Sequence, residues 1–207
     1  MYTHFKNKVF FAVFLISLLM LLTSCMKIVP EITASDYSVI FEYEDEESLP
    51  SARLSLFALS ESDVRRYDSV IVDSLDSDFF WETKEISIFS DGESQWVGSS
   101  NLVLPQGLFI PDGLYQLTFF NADGQEVSVN VDINYNNDYY SLTALQAEEK
   151  AKEDGGTKKI ALYNYDKILV YFGQETSRLN SENKIKEAYK DVKYMQNVWN
   201  IPSCTAA

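Results

Sequence analysis

From Leu114 to Ile133 the chain specifies its local structure almost residue by residue. Leu114 to Asn121 is rich in Leu, Tyr and Phe, with Tyr115, Leu117 and Phe119 on one face. Ala122-Asp123-Gly124-Gln125 turns it back. In the return run Val127, Val129, Val131 and Ile133 alternate without a break against Glu126, Ser128, Asn130 and Asp132. A period of two on both sides of an Asp-Gly turn requires a β-hairpin with one buried face.

The segment before it carries the same signature in shorter pieces. Tyr37, Val39, Phe41 and Tyr43 alternate with Ser38, Ile40, Glu42 and Glu44, and an acidic turn, Glu44 to Pro50, ends that strand. Ala52 to Leu59, Val70 to Val72, Glu85 to Phe89 and Trp96 to Leu104 read as further strands. Ser60 to Tyr67 opens like a helix N-cap and is expected to form a short helical turn. About seven short strands in roughly a hundred residues predict an antiparallel β-sandwich-like body over 36–134, mainly β in a chain that is α+β overall. Asp112-Gly113-Leu114-Tyr115-Gln116-Leu117 resembles the D-G-x-Y-x-L stretch near the end of Ig-like and fibronectin-like bacterial domains. The Cys…Trp…Cys spacing of true immunoglobulin domains is absent.

Beyond Asn134 the pattern changes, and 135–207 is expected to be a smaller α+β segment. Ser141 to Asp154 is rich in Ala, Glu and Lys, with Gly155-Gly156 as a helix stop. Lys159 to Tyr163 and Lys167 to Phe172 read as a strand pair. Ile185, Ala188, Tyr189, Val192 and Met195 form one apolar stripe at helical spacing, predicting an amphipathic helix over about 181–197 that docks on the protein's own sheet.

The front of the chain is of another kind. Lys6 and Lys8 precede Val9 to Leu22, whose one polar residue is Ser17. Fourteen helical residues span about 21 Å, short of a ~30 Å hydrocarbon core. A basic start, an apolar run of that length and small residues after it describe a secretory signal over 1–24. The stretch Leu22-Thr23-Ser24-Cys25 resembles the lipobox of bacterial lipoproteins. The resemblance implies cleavage before Cys25, a thioether-linked diacylglycerol on its sulfur and an N-acyl (palmitate-type) chain on its new amine. Two or more acyl chains hold a protein stably to a bilayer. A lipidated tether over 25–35 would then keep the folded part near the membrane of a bacterial cell envelope. Met26, in place of the Asp that retains some lipoproteins in the inner membrane, favours the outer membrane or the cell surface.

Absences narrow the chemistry. The single histidine, His4, leaves with the signal on this reading, and with it go Ser-His-Asp and Cys-His nucleophile pairs and imidazole metal ligands. With Cys25 lipidated, Cys204 is left for a passive role near the end or for an intermolecular disulfide. No glycine-rich phosphate-binding or nucleophile-elbow motif occurs. The net charge is −14, and it is divided unevenly. Residues 25–157 hold 7 basic and 26 acidic side chains, net −19, whereas 158–207 hold 8 and 5, net +3. So acidic a body repels nucleic acid.

Two groups of residues stand out as candidate sites. Phe79, Phe80, Trp81, Trp96, Tyr139, Tyr140 and Trp199 lie outside the most regular stretches; Phe79, Phe80, Trp81 and Trp96 are the candidate binding patch, with core packing as the alternative. Asp73, Asp76 and Asp78 share one loop that could hold Ca²⁺, although a solvated loop is the default and no metal or other cofactor is expected. The expectation is therefore a non-catalytic envelope lipoprotein that binds a protein partner or serves in adhesion or envelope assembly. A glycan-binding module is the first alternative and a carboxylate-dependent hydrolase the second.

Overall fold

In a computed structural model, the structure describes residues 31–207 apart from 62, 63, 65, 66, 92, 93, 105, 106, 123, 175, 177, 178, 180, 202, 203 and 207. The expected signal and Cys25 lie outside these residues, as does part of the turn expected over Ser60 to Tyr67. The protein is mainly β and forms two packed sheets. The first eight strands are β1 (Ile32–Glu42), β2 (Ser51–Ser60), β3 (Tyr67–Ser74), β4 (Phe80–Thr83), β5 (Ser87–Asp91), β6 (Ser94–Val103), β7 (Gly113–Asn121) and β8 (Glu126–Ile133). A 3₁₀ turn (Asn137–Ser141) and α1 (Ala144–Glu153) follow. The chain finishes with β9 (Thr157–Asn164), β10 (Leu169–Gly173), α2 (Glu182–Ala188), β11 (Val192–Ile201) and β12 (Cys204–Ala206).

The smaller sheet runs β4-β3-β7-β8 and the larger β10-β9-β11-β12-β1-β2-β6-β5. Without its last four strands, the larger sheet reads β1-β2-β6-β5, and its pairing with the smaller one gives the strand order of an immunoglobulin-type sandwich. The core follows from strand alternation. Val39, Phe41, Leu54, Leu56 and Ala58 face Val72, Leu117, Phe119 and Ile133 across the sandwich, all of them buried. Each such side chain stabilises the fold by about 1.5–3 kcal/mol. Tyr37 closes one edge: its hydroxyl donates to the Asn134 carbonyl at 2.8 Å and accepts from the Asn134 amide at 2.9 Å.

The C-terminal strands extend the sheet rather than forming a separate layer. β12 pairs parallel with β1, so the sheet runs through the boundary expected at 134/135. Six strand steps separate β6 from β10. In a flat sheet that distance would be roughly 29 Å, at one interstrand spacing per step. Yet the Ser100 hydroxyl of β6 donates to the Leu169 carbonyl of β10 at 3.2 Å, so the sheet curls back over itself. The curl buries the outer face of β1 and β2. Ile40 packs with Ala161, Tyr163, Leu169 and Val198 in a second core. Beside it Arg53, 3 % exposed, makes a two-pronged ion pair with Glu42 at 2.8 and 3.0 Å, bonds Asn101, and lies over the Tyr163 ring.

Two expectations are corrected. The helix expected over about 181–197 ends at Ala188, and the chain then enters β11. Ile185 docks as the stripe predicts, in a third core with Ile160, Leu162 and Leu179. Beyond it the residues pair with β9 at eight antiparallel positions, which satisfies the backbone groups along an edge of β9 that a longer helix would leave open. The first strand also begins earlier than expected, at Ile32 rather than after Ser35. Cys204 lies in β12, between β1 and β11.

The curl makes a direct prediction. Ile40→Ala should cost about 2–5 kcal/mol in urea unfolding, the range for a buried aliphatic truncation, where an outward-facing position on an open sheet would cost close to nothing.

Candidate functional site

The loop that enters β7 is apolar where loops are usually polar. Leu108 and Phe109 are 53 % and 62 % exposed, while Ile110 between them and Pro111 is buried. Three tyrosine hydroxyls fix this short stretch. Tyr140 accepts from the Ile110 amide at 2.9 Å, and Tyr135 donates to the Ile110 carbonyl at 2.5 Å. Tyr115, third residue of β7, donates back to the Pro111 carbonyl at 2.8 Å, which is the tyrosine corner of immunoglobulin-type sandwiches. The Tyr135 and Tyr140 hydroxyls themselves lie 3.2 Å apart.

Gly113 makes the corner possible. Its φ is +130°, a backbone conformation that favours glycine. An added Cβ would come within 2.5 Å of the Asp76 carboxylate. That carboxylate accepts from the Leu114 amide at 2.8 Å. The D-G-x-Y-x-L stretch thus has a physical content: Gly for the turn and Tyr for the corner.

A cavity of about 450 Å³ opens beside the fixed loop, within the size range of small-ligand pockets. Phe109, Pro111 and Tyr140 supply its apolar walls, and Asp112 and Asn137 its polar groups. The Phe109 and Tyr140 rings meet edge to face, 4.3 Å between centroids at 81°. The Asn137 amide donates to Asp112 Oδ2 at 2.8 Å and so orients the carboxylate. Phe41 stacks beneath, its ring 4.9 Å from Tyr140 and 5.5 Å from Tyr139. The acidic turn Glu44 to Glu47 lies at the same end of the sandwich, since Tyr43 just before it bonds the Tyr139 carbonyl. That end is opposite the start of β1, where Ile32 pairs with Ser60.

The candidate patch is divided by the structure. Phe79 and Trp81 pack on one another at 4.4 Å and partly into the core. Trp81 donates through Nε1 to the Val103 carbonyl, tying β4 to the end of β6. Phe80 points the other way, 60 % exposed. Trp96 belongs to the other sheet and stands near the opposite end of β6 from Val103. At the rise of an extended strand the two positions are roughly 23 Å apart. The four therefore form no single surface. Among the described residues no three carboxylate, Cys or His side chains converge to hold a metal ion, Asp73, Asp76 and Asp78 included. Asp76 is occupied by the β7 corner instead.

Sequence reasoning passed over Phe109 and Asp112 as site residues. The available signal was the run Leu108-Phe109-Ile110, apolar in a loop and followed at once by Pro111.

Burial pushes the Tyr115 hydroxyl up to about 12, with the Asp112 charge acting in the same direction. Burial likewise raises Tyr135 and Tyr140, and the Asp112 charge adds to both. Such groups keep their protons in the folded chain after an unfolded chain has begun to lose them near pH 10. Between about pH 10 and 12 the unfolded state therefore binds fewer protons, and stability falls as pH rises. No family model matches this chain, and neither does any curated protein or solved structure.

Two measurements test the corner and its tyrosines. In an alkaline titration the tyrosinate absorbance of the native chain should lag behind that of the urea-unfolded chain, catching up near pH 12 as the far-ultraviolet circular dichroism is lost. Tyr115→Phe, which leaves the Pro111 carbonyl without its donor, should lower the unfolding free energy by about 1–3 kcal/mol.

Proposed function

We propose that this chain is a lipid-anchored, non-catalytic binding protein of a bacterial cell envelope, which holds the Leu108–Phe109 tip up to a protein partner. The supporting observation is the combination of exposure and rigidity at that tip. Two large apolar side chains stand in solvent directly before a backbone that three tyrosine hydroxyls hold at Ile110 and Pro111. Exposed apolar groups mark interaction surfaces when they cluster, and a loop ordered in advance loses little entropy on binding.

The orientation agrees with an anchor at Cys25. Only residues 26–31 separate that cysteine from β1. So short a stretch reaches roughly 25 Å at full extension, and the start of β1 would sit near the bilayer. The tip lies at the opposite end of the sandwich and would face away from the membrane, on an outer membrane or a cell surface. The same geometry suits adhesion or assembly among envelope proteins.

Anchor and tip are tested separately. Cys25→Ser should move the protein from the membrane to the soluble fraction and abolish incorporation of labelled fatty acid; a variant that stays membrane-bound and labelled removes the anchor. Cross-linking in intact cells should capture a discrete stoichiometric partner, and Phe109→Asp should reduce its yield at least tenfold while Trp96→Ala leaves it unchanged. Equal yields from both variants would remove the tip.

A further inference from the structure

The cup beside Phe109 is built for charge as well as for apolar contact. We propose that it takes an arginine side chain from a basic segment of the partner, the guanidinium lying against Phe109 and Tyr140 and pairing with Asp112. This rests on the reading of the tip as the docking end and adds the chemistry of the occupant. The two rings are in contact with their planes 81° apart, and so form adjoining walls of a cage. A cation over an aromatic face is attracted by the ring's quadrupole. Asp112 stands on the same rim with Oδ2 held by Asn137, and a carboxylate has further acceptor positions for a two-pronged partner. Of the residues lining the cup, Tyr140 is held above its ordinary value by burial, with the Asp112 charge acting in the same direction.

The surroundings select the sign of the ligand. Glu44, Asp45, Glu46 and Glu47 lie at this end of the sandwich, Asp138 is exposed in the adjoining 3₁₀ turn, and the whole chain carries −14. Such a field raises the local concentration of cations and speeds their encounter. Arginine suits the cup better than lysine, because its planar and weakly hydrated head both stacks on rings and forks onto carboxylates. A neutral sugar ring would gain stacking and hydroxyl hydrogen bonds to Asp112, but no charge attraction from the acidic rim.

The full chain in nonionic detergent, titrated with amidated acetyl-Gly-Arg-Gly and with its citrulline counterpart, tests this by heteronuclear NMR. Citrulline keeps the shape of arginine and removes its charge. The arginine peptide should shift the Phe109 and Ile110 resonances and bind at least tenfold tighter than the citrulline peptide. Asp112→Asn should abolish most of that preference, and raising the salt should weaken the arginine peptide selectively. Phe109→Ala is the second variant, expected to weaken both peptides, and circular dichroism confirms that each variant is folded. Equal binding of the two peptides, or an Asp112→Asn variant that still prefers arginine, would overturn the guanidinium assignment. If Phe109→Asp nevertheless loses its cross-linked partner in cells, the docking end survives that result; if it keeps the partner, both fall together. Phe109-dependent binding of maltohexaose without a preference for arginine would replace the proposal with sugar recognition.

Discussion

β1 is the strand on which both halves of the molecule depend. Val39, Ile40 and Phe41 are consecutive and all almost fully buried, which a strand achieves only when both of its faces are covered. One face belongs to the sandwich core and the other to the small core beneath the curled sheet. Along its edges β1 pairs with β2 on one side and β12 on the other. The curl is what converts an exterior face into an interior one. It also accounts for an arginine at 3 % exposure: Arg53 lies on the outer face of β2, where Glu42 and Asn101 offset the loss of water.

How much of this could be read from the residues varies with the origin of the signal. The β7–β8 hairpin was legible because turn and alternation are local, and the structure pairs Leu117 with Val129 and Phe119 with Val127 as the alternation requires. The C-terminal helix was half legible. Ile185 does dock, but from Val192 onward the chain follows its pairing with β9, across an intervening strand and helix, and not the helical spacing of its apolar residues. The curl was not legible at all, since it is a relation between β6 and β10 across the whole chain. The same holds for the site. Tyr140 stood among the aromatics outside the regular strands, but its bond to Ile110 depends on where the 3₁₀ turn meets the loop before β7. Phe79, Phe80 and Trp81 adjoin in sequence, yet alternation sends Phe80 to one face and its neighbours to the other.

The tyrosine hydroxyls perform one task at three points. They satisfy backbone groups of a loop that has no strand partner there, and that leaves the side chains at its tip free to face solvent. Order in the loop comes from below, through the tyrosine hydroxyls and the aromatic stack on Phe41, and Phe109 adds one edge-to-face contact with Tyr140. Rigidity and exposure are therefore compatible at Phe109.

The parallel pairing of β12 with β1 also sets a timetable. Val39 finds its partner Cys204 only at the far end of the chain, and Ile40 is covered only when β9, β10 and β11 have arrived. A chain made from its N-terminus thus completes β1 to β8, every strand of the two-sheet sandwich, while one flank of it is still apolar and open. Contacts of such long range form late, and until they do the unpaired edge of β1 can recruit any other extended chain. Until β12 is in place, that edge of β1 stays open to pairing.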